Sequence, residues 1–292
     1  MILKRVFICL VYFTAAAAVF AVLRFPHQAA AEKTARMAEQ MFPGSAITLD
    51  RVSPVFPLGL TSQTPVIRLA DKILVIPRDI HVRLPLSAFL GWGNTLHYRV
   101  SLLEGTLAGH LSGVSLSPPG YAGVTADLAG LRFTDLALAL EGGTVRLSFV
   151  LSGRYQEPDR QNSPAGTGDL FLSQVTCAIQ DNFLNTFGIK DLNFDRITVS
   201  FVRENRTIQI SALTAQGSVM AVSAEGQIVL AQGSPSDPEN WTFDLKGLLH
   251  PQPAHVSKFS GILPVENLFR TDPEKGIPFT LTGPVSALEI RL

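Results

Sequence analysis

The chain has 292 residues, with 24 basic and 24 acidic side chains, so its formal net charge is zero. A balanced charge gives no general attraction to nucleic acid, and we expect no nucleic-acid partner. Charged residues make up 16% of the chain and the mean hydropathy is +0.25, which implies extensive apolar burial. Cys9 lies in the apolar N-terminal segment and Cys177 stands alone, so a disulfide framework is excluded.

The N-terminus contains an apolar segment that is long enough to cross a membrane. Lys4 and Arg5 precede residues 6–23, which carry no charge, and Arg24 ends the segment. A helix of this length extends about 27 Å, close to the thickness of a bilayer core. The basic residues favour the cytoplasmic side. We therefore predict a cytoplasmic N-terminus over residues 1–5 and a transmembrane signal anchor over residues 6–23. The alternative is a signal peptide that is cleaved near Ala31.

A helix and then a long β domain are predicted after the anchor. Pro26 suits the first turn of a helix and Pro43-Gly44 ends one, which predicts a juxtamembrane helix over residues 24–43. Residues 44–292 alternate apolar and polar side chains, which is typical of β-strands. Three short apolar segments are candidates for helical structure: residues 86–90 and 183–187 as helical turns, and residues 253–263 as a short helix.

The middle of the β domain contains the clearest hairpin. Residues 124–128 and 131–140 are predicted as two strands, and the second one turns at Glu141-Gly142-Gly143 into a strand over residues 145–151. The segment that follows, residues 157–168, is polar and contains two prolines and two glycines. It is predicted as a loop and as the place where the β domain could be subdivided.

Several strands alternate glycine with apolar residues on one parity. Residues 103–116 give the fullest example, and shorter segments with fewer glycines begin at Val222, Phe243 and Phe279. Glycine weakens a strand, so its repeated use indicates bending or the close approach of another backbone. The structural glycines of these segments are Gly105, Gly109, Gly226, Gly247 and Gly283.

The apolar residues of these strands predict a surface that one sheet cannot cover. Seven of them lie on one parity of their strands and form a candidate groove: Leu107, Leu111, Leu147, Phe149, Phe243, Leu245 and Leu281. The predicted helical segments are too small to cover it, and an uncovered apolar strip normally binds a partner. The alternative is a sheet that closes on itself as a sandwich or barrel and leaves no strip.

Motifs of catalysis are absent from the sequence. It contains no HExxH, GxSxG, CxxC or GxxxxGK[ST] pattern, and its six histidines are scattered. We therefore expect no catalytic residue, no cofactor and no metal ligand, and we predict that the protein is not an enzyme.

Short motifs in a fixed order resemble those of a known family. The anchor is followed by a helix that begins at Phe25-Pro26, and then by the turn Pro54, Pro57, Gly59 and Leu60. A strand with a short helix covers residues 80–89, and Glu104-Gly105-Thr106-Leu107-Ala108-Gly109 comes next. Phe279-Thr280-Leu281-Thr282-Gly283-Pro284-Val285 completes the order. In this order the chain resembles the GspN family of type II secretion system proteins, in its stand-alone periplasmic β form.

The resemblance implies a non-catalytic protein of the bacterial inner membrane, with its C-terminal domain in the periplasm. Its role would be structural or in assembly, and its partners would be the inner membrane and other type II secretion components. The same segments are also similar to AsmA-like proteins, whose repeated β units form a curved sheet with an apolar groove for lipid. That alternative implies lipid binding or lipid transfer. The expected fold is mainly β, with a curved or half-barrel antiparallel sheet, the N-terminal transmembrane helix and a few short helices.

Overall fold

A computed structural model describes residues 24–42, 44–55, 59–69, 73–83, 94–116, 119–140, 143–158, 165–180, 191–231, 241–252, 276–284 and 287–291. Over these residues the chain is mainly β, as the alternating pattern predicts. One helix, α1 (His27–Met41), comes first.

The strands follow the helix in chain order. They are β1 (Ser45–Thr48), β2 (Val52–Val55), β3 (Gly59–Gln63), β4 (Val66–Leu69), β5 (Ile73–Val75), β6 (Asp79–Arg83), β7 (Leu96–Leu102), β8 (Gly105–Ser112), β9 (Ser115–Leu116), β10 (Pro119–Gly120), β11 (Gly123–Leu140), β12 (Gly143–Glu157), β13 (Ala165–Gln180), β14 (Asp191–Glu204), β15 (Thr207–Gly217), β16 (Met220–Val229), β17 (Thr242–Pro251), β18 (Ile277–Pro284) and β19 (Glu289–Arg291).

Fourteen of these strands form one antiparallel sheet. Its spatial order is β19-β18-β17-β16-β15-β14-β13-β12-β11-β8-β7-β6-β3-β2, so that strands follow one another across the sheet in chain order. The remaining five strands form two small sheets, β1-β4-β5 and β9-β10. The large sheet does not close on itself in the described residues, because its edge strands β19 and β2 are not paired with each other. The alternative of a closed barrel is therefore wrong.

The pairing registers assign the strand positions to two faces. Residues directly opposite each other in an antiparallel pair lie on the same face. One face, here named the apolar face, is found by following the pairing from strand to strand, and it contains Val82, Val100, Leu111, Val124, Leu151, Leu172, Ile197, Ala215, Val222, Leu249 and Ile277. The other, the polar face, includes Thr106, Arg154, Asp169, Thr198, Gln227 and Lys246.

The buried core of the sheet lies on the apolar face. Leu131, Val175, Ile210 and Leu245 are each at most 6% exposed, and all of them point to that side. The polar face is instead covered by ion pairs and hydrogen bonds. Arg154 Nε lies 3.4 Å from Asp127 Oδ1 on the adjacent strand. The Ser200 hydroxyl donates to Asp169 Oδ1 at 2.6 Å. The sheet is thus amphipathic across its whole width.

β-Bulges interrupt the longest strands. The register between β11 and β12 shifts twice, near Gly130 and near Asp135, and both residues have left-handed backbone angles. A third residue of this kind, Gln174, lies at a shift between β12 and β13. Bulges increase the local twist of a strand and bend it. The residues predicted as two strands, 124–128 and 131–140, belong to the single strand β11, because the chain passes Gly130 through a bulge.

Helix α1 is held against the small sheets and one edge of the large sheet. It packs on β1, β2 and β10. His27 donates from Nδ1 to the carbonyl oxygen of Val52 at 2.7 Å, at the first turn of the helix. Near its last turn, Glu39 accepts a hydrogen bond from the backbone N–H of Ile47 at 2.9 Å. The helix lies within the predicted segment 24–43.

Several predicted segments lie outside the described residues. They are the cytoplasmic residues 1–5, the anchor at residues 6–23 and the helical segments at residues 86–90, 183–187 and 253–263. A search of the described residues for a helix with the length and hydrophobicity of a membrane span found none.

The segment predicted as a loop, residues 157–168, becomes a strand before its C-terminal end. Residues 165–168 already belong to β13, where Gly166 pairs with Arg203 and Gly168 with Phe201. The strands on the two sides of this segment, β12 and β13, pair with each other along most of their length. One sheet therefore continues through the place where a subdivision was predicted.

Candidate apolar binding face

The seven predicted groove residues all lie on the apolar face. Leu107 and Leu111 are on β8, Leu147 and Phe149 on β12, Phe243 and Leu245 on β17, and Leu281 on β18. Leu111 and Leu245 are buried, and the other five are half-buried. The structure brings Leu245 and Leu281 directly opposite each other. It does not gather all seven into one pocket, because six strands separate β8 from β17.

The apolar face is therefore a long strip that crosses the strands. Neighbouring strands are about 4.8 Å apart, so thirteen spacings between fourteen strands amount to roughly 60 Å measured along the sheet. Among the described elements, extensive contacts join neighbouring strands, and α1 packs at the corner formed by β1, β2 and β10. No described element packs extensively over the apolar face between β11 and β18.

The five predicted structural glycines lie where another backbone comes close. A Cβ atom at any one of them would be closer than 3.0 Å to a backbone oxygen; the five are Gly105, Gly109, Gly226, Gly247 and Gly283. All five are on the apolar face. A side chain would therefore collide with a neighbouring strand at four of these positions, and with the backbone of Ala287 at Gly283. This supports the interpretation of close backbone approach.

Aromatic side chains cover several glycines of the apolar face. The Tyr98 hydroxyl lies over its cross-strand partner Gly109, and the Phe279 ring lies over Gly247 in the same way. Phe201 covers Gly168. An aromatic ring can pack flat over the backbone of a glycine on the neighbouring strand, and this contact is a known way of stabilising glycine in sheets. At these positions the apolar face is formed by a ring that lies over the glycine backbone.

The Tyr98 ring on β7 is held by a hydrogen bond that passes over β8 to β11. Its hydroxyl donates to the carbonyl oxygen of Thr125 at 2.9 Å, across Gly109. Burial raises the pKa of the Tyr98 phenol to about 12, and the charge of Asp127 acts in the same direction. The phenol therefore stays protonated, and a hydrogen-bond donor, at any physiological pH.

Sequence reasoning missed a polar cluster at one end of the apolar face. Tyr155 and Glu157 are on β12 and Arg203 is on β14, with β13 between them. The β13 residues at this level are Gly166 and Gly168, which have no side chains. Because β13 presents only backbone here, side chains of β12 and β14 meet over it.

The cluster is joined by hydrogen bonds. The Tyr155 hydroxyl donates to Glu157 Oε2 at 3.0 Å and accepts from Arg203 Nη1 at 3.5 Å. Arg203 Nη1 also lies 3.8 Å from Glu157 Oε2. The Glu157 side chain is 5% exposed and that of Arg203 is 35% exposed. Burial raises the pKa of Tyr155, against the effect of its hydrogen bond with Arg203.

The signal for this cluster was present in the sequence but lay in the predicted loop. Gly166 and Gly168 are two apart, and Tyr155 and Phe201 are aromatic residues of the strands on either side. Once residues 165–168 are assigned to a strand, the glycine pair predicts a gap between aromatic neighbours.

The described residues hold no arrangement that suggests a metal ion. No group of three or more His, Cys, Asp or Glu side chains is positioned to bind one there. Comparisons of the chain with protein-family models, with curated proteins and with solved structures found no match. The chemistry of the apolar face is therefore the basis for a functional proposal.

Proposed function

We propose that this protein binds the acyl chains of lipids along the apolar face and that it is not an enzyme. The observation that supports the proposal is the continuous apolar strip, which crosses the fourteen strands of one open sheet while the opposite face is polar. Many side chains of this strip are half-buried, and Leu136 is 42% exposed. Apolar surface that stays partly accessible over such a length marks a binding surface.

The energetics favour a hydrocarbon ligand. Burial of apolar surface contributes about 0.8 kcal/mol for each CH₂ group. An acyl chain on this face would keep most of the stabilisation that it has in a bilayer, which a polar surface could not provide. The strip is longer than one acyl chain, so lipids can occupy it in more than one place, as a path for lipid transfer requires.

The sheet edges are poorly suited to a partner that adds a strand. β19 has three residues and contains the ion pair between Arg291 and Glu289, and β2 has four residues, one of which is Pro54. Short edges with charges or proline are typical protections against strand addition. An occupant of the apolar face is therefore a better candidate for function than a partner at an edge.

We further propose that the β domain lies in the periplasm and that residues 6–23 anchor it in the inner membrane. The role in type II secretion stays a prediction that rests on the resemblance. A lipid-binding face and a place near the secretion machinery are compatible, since both would be found at the inner membrane.

Photo-crosslinking in the full chain tests the proposal. Phe149 on the apolar face is replaced by a photoreactive benzoyl derivative of phenylalanine, which keeps the aromatic ring. We expect lipid adducts at this position, because an acyl chain on the strip would lie against the ring. Mass spectrometry of the crosslinked protein measures them.

Phe171 provides the matched control, since it lies on the polar face and is 43% exposed. The same replacement there should yield no lipid adduct. Equal lipid labelling at both positions, or a protein adduct at position 149, would contradict the lipid proposal. A secretion component crosslinked at position 171 would instead support the predicted role in secretion.

A further inference from the structure

We propose that Arg203, positioned by Tyr155 and Glu157, binds the anionic oxygen of a lipid headgroup, phosphate or carboxylate, at the margin of the apolar face. This inference rests on the proposed function and deepens it, because it gives the bound lipid an orientation. The acyl chain would lie on the apolar face, and the headgroup would lie at its margin, beside the C-terminal ends of β12 and β14.

Charge on the apolar face is the first reason. Apart from bulge residues, Glu157 and Arg203 are the two charged residues at apolar-face positions of the described strands. Charged groups on such a surface lose hydration, and this cost must be offset by good pairing. The other charged residues of the large sheet lie on the polar face or at bulges, so this pair is the one place where charge occurs on the apolar face of the described strands.

The geometry of the pair is the second reason. A structural pair of arginine and carboxylate usually forms two short parallel hydrogen bonds. Here Arg203 Nη1 is 3.8 Å from Glu157 Oε2, and the Tyr155 hydroxyl forms a hydrogen bond with each of these two atoms. The pair is therefore incomplete as a stabilising interaction, although it holds the guanidinium in one place.

Unused donors are the third reason. Arg203 Nε donates to the carbonyl oxygen of Asn205 at 3.3 Å, and Nη1 faces Tyr155 and Glu157. Within the described part of the chain, Nη2 has no acceptor. Since the side chain is 35% exposed, these donors can be reached from outside. A guanidinium with free N–H groups matches the oxygens of a phosphate or carboxylate.

The surroundings place a hydrocarbon chain beside this charge. On the apolar face, Phe201 is two residues before Arg203 on the same strand, and its ring stacks on Tyr155 with centroids 6.1 Å apart. Ile208 and Ile210 of β15 lie opposite Arg203 and Phe201. An amphiphile with its headgroup on Arg203 would therefore meet apolar side chains at once along its chain.

Three amphiphiles with the same hydrocarbon chain test the proposal: hexadecanoic acid, hexadecyl phosphate and hexadecanol. Each one competes with the neutral dye Nile red for the full chain, kept in solution by an amphipathic polymer. We expect Arg203→Gln to weaken the binding of both acids about tenfold, because one charge-assisted contact is lost, and to leave hexadecanol unchanged. Arg203→Lys, which keeps the charge, should weaken the acids less.

Arg196→Gln is the matched control, because Arg196 is an exposed residue on the polar face of the same strand. It should change none of the three affinities. An effect of Arg203→Gln on one acid alone would identify that headgroup. If hexadecanol binds and the acids are insensitive to Arg203, the headgroup site is wrong while the apolar face remains a binding site. If none of the three displaces the dye from the unaltered protein, both proposals fail.

Discussion

Gly109 is a position on the apolar face where the sheet leaves no room for a side chain. A Cβ atom there would lie closer than 3.0 Å to the carbonyl oxygen of Thr125, and 2.8 Å from the Tyr98 hydroxyl. These are the two atoms that form the hydrogen bond across this glycine. The backbone of β11 and the Tyr98 ring would both have to move to admit a larger residue.

We expect Gly109→Val to destabilise the protein by about 1–3 kcal/mol, the usual cost of overpacking. Valine has the better strand propensity, so propensity alone would give the opposite sign. Thermal unfolding measures the result, and a lower midpoint is expected. Gly120→Val is the control, because a Cβ at Gly120 meets no described atom within 4 Å. An equal effect of the two changes would show that close approach at Gly109 is not the cause.

The sequence was informative at Gly109 and uninformative at Gly166 for one physical reason. Gly109 lies in a long alternating run, so its parity with Leu107 and Leu111 could be read directly. Gly166 and Gly168 follow a proline-containing polar segment, where glycine is equally typical of a loop. Local composition does not distinguish a strand glycine from a loop glycine when the pattern on one side is missing.

At the level of elements, α1 is connected to β1 by one polar contact. Glu39 on the last turn of the helix accepts from the backbone N–H of Ile47, and the contact is partly buried. β1 is an edge strand of the small sheet, with β4 on its other side, so this N–H has no strand partner. The side chain of Glu39 thus supplies the acceptor that a neighbouring strand would supply elsewhere.

We expect Glu39→Ala to increase the hydrogen-exchange rate of the Ile47 amide roughly tenfold. A hydrogen bond to a charged group contributes about 1.5–3 kcal/mol, and part of it is lost to solvent at this partly buried site. Exchange measured by mass spectrometry or NMR reports the change. Glu32→Ala is the control on the same helix, because Glu32 is exposed. Unchanged exchange at Ile47 in Glu39→Ala would mean that the contact contributes nothing to docking.

The strands themselves show where element prediction reaches its limit. Alternation correctly placed the hairpin of β11 and β12, and it gave their shared apolar parity. It divided β11 at Gly130, where the chain continues through a bulge with a φ of 65°. A bulge and a turn both use glycine with a positive φ, so the local sequence is the same for both.

At the scale of the molecule, the period of two was enough to predict a mainly β fold with one apolar face. It could not decide between an open and a closed sheet. Closure depends on strand tilt and stagger over all strands together, and no local segment encodes either quantity. The open result follows from the accumulated registers and bulges of fourteen strands, and these become visible only in the assembled sheet.

The order of the strands also determines how the sheet should unfold. Each strand packs mainly on the strands before and after it in the chain, as in repeat proteins, where stability is a sum of nearest-neighbour terms. The strands in the middle are long, with 18 residues in β11, 15 in β12 and 16 in β13. The edge strands β2 and β19 have 4 and 3 residues. Longer strands form more ladder hydrogen bonds, so the centre should be the most stable part.

We expect native-state hydrogen exchange to be slowest in β12 and β13 and to become faster toward both edges of the sheet. Local opening can begin at β2 or β19 and proceed inward, because each step breaks the contacts of only one strand. Peptide-resolved exchange of the full chain measures this gradient, and β7 and β17 should lie between the two extremes. Equal protection of β13 and β18 would contradict the gradient, since it would mean that the fourteen strands open together as one cooperative unit.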